Sequence, residues 1–190
     1  MTDDILTAAL EQRKAVVVHF SHYAKMRADG VFPDDLQKAI SNKDEWPLSC
    51  SVLWPGHPMQ PCGGVGVMFR PTAASVLSVS NTDAGSFSES DGTDHSGGQP
   101  LNLDTFESTF QVDGAYNEWR VRGAEVIGIF VHDIYRVEAK SAMLIPGLPG
   151  GDPLPDIGVT RIKLTEVFDA FETLRIFTMT PSGLVCVGRP

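Results

Sequence analysis

Apolar positions along this chain cluster in short β-branched or aromatic runs separated by turn-forming residues. Residues 15–20, Ala15-Val16-Val17-Val18-His19-Phe20, form a continuous run of the kind found in a strand covered on both faces. Further strands are predicted at 49–53, stopped by Pro55-Gly56, at 65–69 and 76–79 on either side of Arg70-Pro71-Thr72, and at 106–112. Residues 118–121 and 125–131 read as a hairpin turning at Arg122-Gly123, and 175–179 with 184–187 flank a turn at Pro181-Ser182-Gly183. Helical spacing occurs in three places. Ile5, Leu6, Ala9 and Leu10 follow capping aspartates at 3 and 4 and predict a helix to about Arg13. Pro33, Asp34 and Asp35 open a second helix to about Ile40, after a turn at Asp29-Gly30. Leu164, Val167, Phe168, Phe171 and Leu174 form the third. The pattern predicts an α+β fold: a mixed or mainly antiparallel sheet of roughly six to eight strands with about three packed helices.

Two tracts break the pattern. Residues 80–102 are rich in Ser, Gly and Asp, and a loop of that length within a compact domain is usually functional or disordered. Residues 146–158 read as a Pro/Gly linker. The residues beyond it, 159–190, are too few for a separate unit and should pack back on the main body, so residues 1–190 are expected to form a single domain.

A 42% share of hydrophobic residues is ample for a core, and the net charge of −9 works against nonspecific binding to nucleic acid. The three cysteines, Cys50, Cys62 and Cys186, are odd in number and have no metal-ligand spacing, so free buried thiols are expected. The first residues are acidic where a signal peptide would be basic, and the strongest apolar run, 126–131, is far shorter than the ~20 residues a bilayer needs. A cytoplasmic location, with no membrane partner, is the expectation.

Chemistry-bearing residues stand at the ends of two predicted strands. His19 interrupts an apolar strand at its C-terminal end, and Ser21 projects to the same side of an extended chain. An imidazole and a hydroxyl there suit a ribose; the competing reading is a satisfied core histidine and a helix-capping serine. Glu118 opens a strand whose Trp119 and Val121 share one face, leaving Glu118, Arg120 and Arg122 on the other. A carboxylate in that place stabilises a developing cation or activates an attacking hydroxyl; the competing reading is a solvated face with weak ion pairs. His19 and His22 lack a third ligand at an informative spacing, and Asp83, Glu89, Asp91 and Asp94 lack the order of a calcium loop, so no metal is expected. Cys62-Gly63-Gly64-Val65-Gly66 fits no phosphate-binding pattern.

His19-Phe20-Ser21-His22, at the end of a first strand, resembles the His-x-Thr-His motif of the DarT-like family of ADP-ribosyltransferases. Asn117-Glu118-Trp119-Arg120-Val121 is similar to the strand that carries that family's catalytic glutamate. The resemblance implies an ADP-ribosyltransferase-like fold and an enzyme, of a toxin or defence type, that takes NAD as substrate. In it His19 and Ser21 would orient NAD, and Glu118 would assist transfer of ADP-ribose to a macromolecular acceptor, protein or nucleic acid. Arg70 would stand in for the family's central arginine, and Tyr23 and Trp54 would stack on the nicotinamide or adenine ring. Position 116 is Tyr, so no Glu-x-Glu or Gln-x-Glu pair forms, which points away from protein arginine as acceptor. A second hypothesis is a non-catalytic acidic protein of the antitoxin or immunity type, whose charge and 80–102 tract would present carboxylates to a basic protein partner. If the side chains of His19 and Glu118 point into one cleft the enzyme gains; if they lie on opposite faces it fails.

Overall fold

The computed structural model describes residues 1–21, 32–58, 64–88, 93–111, 117–144 and 155–190. In chain order the elements are α1 (Asp3–Gln12), β1 (Val16–Phe20), α2 (Asp34–Ser41), β2 (Leu48–Leu53), β3 (Val65–Arg70) and β4 (Val76–Ser80). There follow β5 (Phe87–Ser88), β6 (Asp94–His95), α3 (Leu103–Thr109), β7 (Glu118–Val121) and β8 (Glu125–Val131). The chain ends with β9 (Glu138–Leu144), β10 (Pro155–Arg161), α4 (Leu164–Ala170), β11 (Ile176–Thr180) and β12 (Gly183–Val187).

Eight strands make one sheet in the order β12-β11-β8-β3-β1-β2-β7-β4. All its pairs are antiparallel except β11 with β8, so the sheet is mixed and mostly antiparallel, as the pattern predicted. One face carries the main core. Leu6 and Leu10 from α1, Leu36 from α2, Phe106 from α3 and Val167 from α4 all pack there on Val17, Val52, Val67 and Trp119. Val18, Phe20, Leu53, Met68 and Phe130 form a smaller cluster, and their alternation with the main-core residues puts them on the other face. Burial on both faces is why residues 15–20 read as an unbroken apolar run.

Three expectations are corrected. Residues 106–112, predicted as a strand, belong largely to α3 and the turn after it. Asn102 and Thr105 cap that helix reciprocally, the Asn102 carboxamide accepting the Thr105 N–H (3.0 Å) and the Thr105 hydroxyl accepting the Asn102 N–H (2.9 Å). Phe106 and Phe110, four residues apart, then lie on one side with ring centroids 5.1 Å apart. The 80–102 tract is not a bare loop, since β5 and β6 pair within it and Val79 bridges Gln99. The predicted linker at 146–158 gives way at its C-terminal end to β10, which pairs with β9 along seven residues. The turn at Asp29-Gly30 lies outside the described residues, as does the rest of the linker. The C-terminal residues join the main body: β11 lies beside β8, and Val167, Phe171 and Ile176 enter the main core. Among the described residues no helix is long and apolar enough to cross a membrane.

Candidate functional site

β2 changes partner midway. Ser51, Val52 and Leu53 register with Val18, Val17 and Val16 of β1, whereas Leu48, Ser49 and Cys50 register with Val121, Arg120 and Trp119 of β7. At the changeover two ladder positions are completed by side chains, and both come from the sequence motifs. The Asn117 carboxamide, just before β7, accepts the Val52 N–H (2.7 Å) and donates to the Val52 carbonyl (2.9 Å), as a strand backbone would. From β1, the His19 ring meets the Ser49 carbonyl through Nδ1 at 2.8 Å. Because a carbonyl only accepts, this bond fixes the proton on Nδ1.

Glu118 approaches the same serine from β7. Its Oε1 accepts the Ser49 hydroxyl at 2.8 Å, and its Oε2 accepts the backbone N–H of Ala84 at 3.0 Å and of Ser86 at 3.5 Å. His19 and Glu118 thus converge on Ser49 by different atoms, the carbonyl and the hydroxyl. They do not share a wall. His19 alternates with Val18 and Phe20 and so falls on the main-core face with Val17 and Cys50; Glu118 alternates with Trp119 and falls on the opposite face with Ser49 and Arg120. They meet where β1 and β2 stop pairing.

The face of β7 expected to be solvated is buried: Glu118 is 6% and Arg120 5% exposed. Residues 84–88 and 94–98 cover it. Arg120 Nη2 donates to the Ser88 hydroxyl at 2.7 Å and pairs with the Asp94 carboxylate, which also accepts from Ser88 at 2.9 Å. Arg120 Nε is buried with no hydrogen-bond partner among the described residues. The cover is tightly seated. A Cβ on Gly98 would lie 2.7 Å from the carbonyl oxygen of Val79 in β4, and within the cover Gly97 packs against the Ala84 carbonyl. Beneath β7, on the main-core face, burial pushes the Cys50 thiol well above its ordinary range; Arg120 offsets part of that and Glu118 adds to it.

The other expected contacts fall elsewhere. Ser21, fully buried, follows β1; its N–H donates to the Val65 carbonyl (2.9 Å) and its hydroxyl to Asp35 in the first turn of α2. Trp54 stacks on His57 with centroids 3.8 Å apart and lies 4.9 Å from Phe110. Arg70 ends β3 and pairs on the surface with Glu125 of β8 at 2.7 Å, so the structure does not bring it to His19 or Glu118. Tyr23, His22 and Cys62 lie outside the described residues. Cys186 is exposed, contrary to the expectation of buried thiols. No group of three or more potential metal ligands occurs among the described residues.

Ser49 was passed over by sequence reasoning, which took Asn117 only as part of a motif and Arg120 only as part of a strand face. The signal for Ser49 was present: Ser49 and Ser51 alternate with Cys50 and Val52, marking a polar stripe on an otherwise apolar strand. Compared with family models, with curated proteins and with solved structures, the chain matches none.

Proposed function

We propose that this chain is an ADP-ribosyltransferase-like enzyme that takes NAD as substrate and passes its ADP-ribose to a macromolecular acceptor. The observation that carries this reading is the meeting of His19 and Glu118 at Ser49, which joins two motifs lying about a hundred residues apart in sequence. Its support is that Glu118 is largely dry and is held by a hydroxyl and by backbone N–H groups, with Ser49 setting its orientation. In the reaction the bond between ribose C1′ and the nicotinamide nitrogen breaks, and its electron pair leaves with neutral nicotinamide. Positive charge builds on the ribose, and a carboxylate beside it lowers the transition state more than the ground state. The acceptor's nucleophilic atom then bonds to C1′ and gives its proton to Glu118. His19, on the opposite face, acts on the substrate through Ser49, whose carbonyl fixes its ring.

One observation counts against this enzyme and favours a non-catalytic acidic binding protein: His19 and Glu118 leave opposite faces of the sheet, the arrangement in which the enzyme is expected to fail, and the cover occupies the carboxylate. Calorimetric titration with NAD separates the two. The enzyme reading expects saturable binding that His19→Ala weakens, while Glu118→Gln binds and does not turn over. Absence of heat at about 1 mM NAD with a folded sample would sink the enzyme reading and leave the binding protein.

A further inference from the structure

The cover over β7 has a chemistry complementary to the residues beneath it. To the cation Arg120 it offers a carboxylate, Asp94, and to the carboxylate Glu118 it offers two N–H donors, Ala84 and Ser86. Glu118 and Arg120 are two residues apart on one face of a strand, about 7 Å along it, a span that a ribose phosphate covers. A nucleotide makes the same two offers, with phosphate for the cation and sugar hydroxyls for the carboxylate. Asp94 meets the guanidinium at Nη2, while buried Nε has no partner among the described residues. A phosphate can engage an arginine through two N–H groups at once, which a carboxylate held on Nη2 alone does not.

We infer that residues 82–88 and 93–98 act as a built-in competitor for this site, and that Arg120 binds a phosphate of the substrate once Asp94 is displaced. The inference rests on the proposed use of NAD and adds to it a phosphate-binding residue and a self-imposed block. The closed state is well held. Beyond the contacts to Glu118 and Arg120, the Ser78 and Ser96 hydroxyls meet, Val79 and Gln99 exchange backbone bonds of 2.8 Å in both directions, and the Gly97 N–H donates to Ser86 Oγ at 3.1 Å.

A structural ion pair and a competitor for a binding residue differ in one measurable way. Breaking a structural pair from either side has the same sign, whereas here the two sides have opposite signs. Asp94→Asn keeps an oxygen acceptor, weakens the competitor and should tighten NAD binding about tenfold, the worth of one charge-assisted hydrogen bond. Arg120→Met frees the cover equally but removes the phosphate ligand, and should weaken binding by at least about tenfold. Arg120→Lys keeps the charge without the fork and should fall between wild type and Arg120→Met; it also serves if the Met variant fails to fold. Amide exchange at Ala84 and Ser86 should speed up in both the Asn and Met variants. NAD affinity moving in the same direction in the Asp94 and Arg120 variants, with both folded, overturns the inference, as does unchanged exchange at those two amides. Inorganic pyrophosphate separates this failure from that of the NAD reading. If no variant binds NAD yet Asp94→Asn gains pyrophosphate binding that Arg120→Met lacks, the competitor stands and the transferase falls. If neither ligand binds any variant, both fall.

Discussion

Asn117→Ala tests whether the Asn-Glu motif divides its labour between fold and chemistry. The Asn117 side chain is 1% exposed and gives both of its polar atoms to one residue, taking the Val52 N–H at 2.7 Å and donating to the Val52 carbonyl at 2.9 Å. Truncation leaves a buried donor and a buried acceptor unpaired, at about 1–3 kcal/mol each, so the loss should be about 2–6 kcal/mol. A water admitted to the space would bring it to the lower end. For a chain of this length that corresponds to a fall in Tm of roughly 5–15 °C. Asn117→Asp should cost at least as much, because a carboxylate has nothing to donate to the carbonyl. Urea unfolding followed by tryptophan fluorescence suits the measurement, since Trp119 is adjacent and fully buried. A loss below about 0.5 kcal/mol, the range of an ordinary surface substitution, would refute the reasoning. Retained stability with lost NAD binding would instead place Asn117 in contact with substrate.

Two other predictions concern groups outside that seam. Burial holds His57 down from 6.5 to about 4, so the unfolded chain takes up this proton first as pH falls. The stability His57 contributes as a neutral ring is therefore present above 6.5 and lost as pH falls from there to about 4. His57→Phe keeps a ring against Trp54 and removes two buried nitrogens without hydrogen-bond partners among the described residues; its unfolding midpoint should lose that part of the pH dependence and match or exceed wild type at about pH 5. Iodoacetamide labelling read by mass spectrometry should modify exposed Cys186 in the native protein. Cys50, buried and held as the thiol, should react only after denaturation, and rapid native labelling of it would contradict the described packing.

What was legible in the sequence is what the backbone period decides. β1, β2, β3, β4, β7, β8, β11 and β12 all fall on runs whose β-branched and apolar composition marks them, and α1, α2 and α4 on apolar residues at helical spacing. α3 was misread because Phe106 and Phe110 also fit alternation, and what decides for a helix is the reciprocal cap of Asn102 and Thr105 ahead of it. β9 carries no clear apolar alternation in Glu138-Ala139-Lys140-Ser141-Ala142, and the short alternation of Ile157 and Val159 in β10 is masked by the Pro/Gly tract before it, so pairing reveals them. For the candidate site, His19 and Glu118 were visible as breaks in apolar runs, but their common neighbour was not. Ser49 becomes central because β2 trades one partner for another at that point, and a change of partner is a property of three strands together. Arg120 was assigned to solvent because a charged residue on an alternating strand is usually exposed. The cover that buries it is a tract whose small polar residues give no periodic signal of docking.

The cost of that burial bears on why the residues are there. Glu118 and Arg120 lie almost entirely out of water, and removing an ion from water costs several kcal/mol even after relaxation. Two apolar side chains of similar volume under an apolar cover would hold β7 as well or better, so stability alone does not select this pair. Nor does it select a cover that is close-fitting at Gly97 and Gly98 yet leaves Arg120 Nε without a partner. Asn117, one residue earlier, shows what a polar group serving only the fold looks like here: its acceptor and its donor both matched to Val52. The carboxylate and guanidinium that follow it on the opposite face are held instead by a hydroxyl, backbone amides and an aspartate from a separate tract, partners that a ligand of the same polarity can replace. Exchange of these partners is what the proposed site requires, and it is what the opposed Asp94 and Arg120 variants measure.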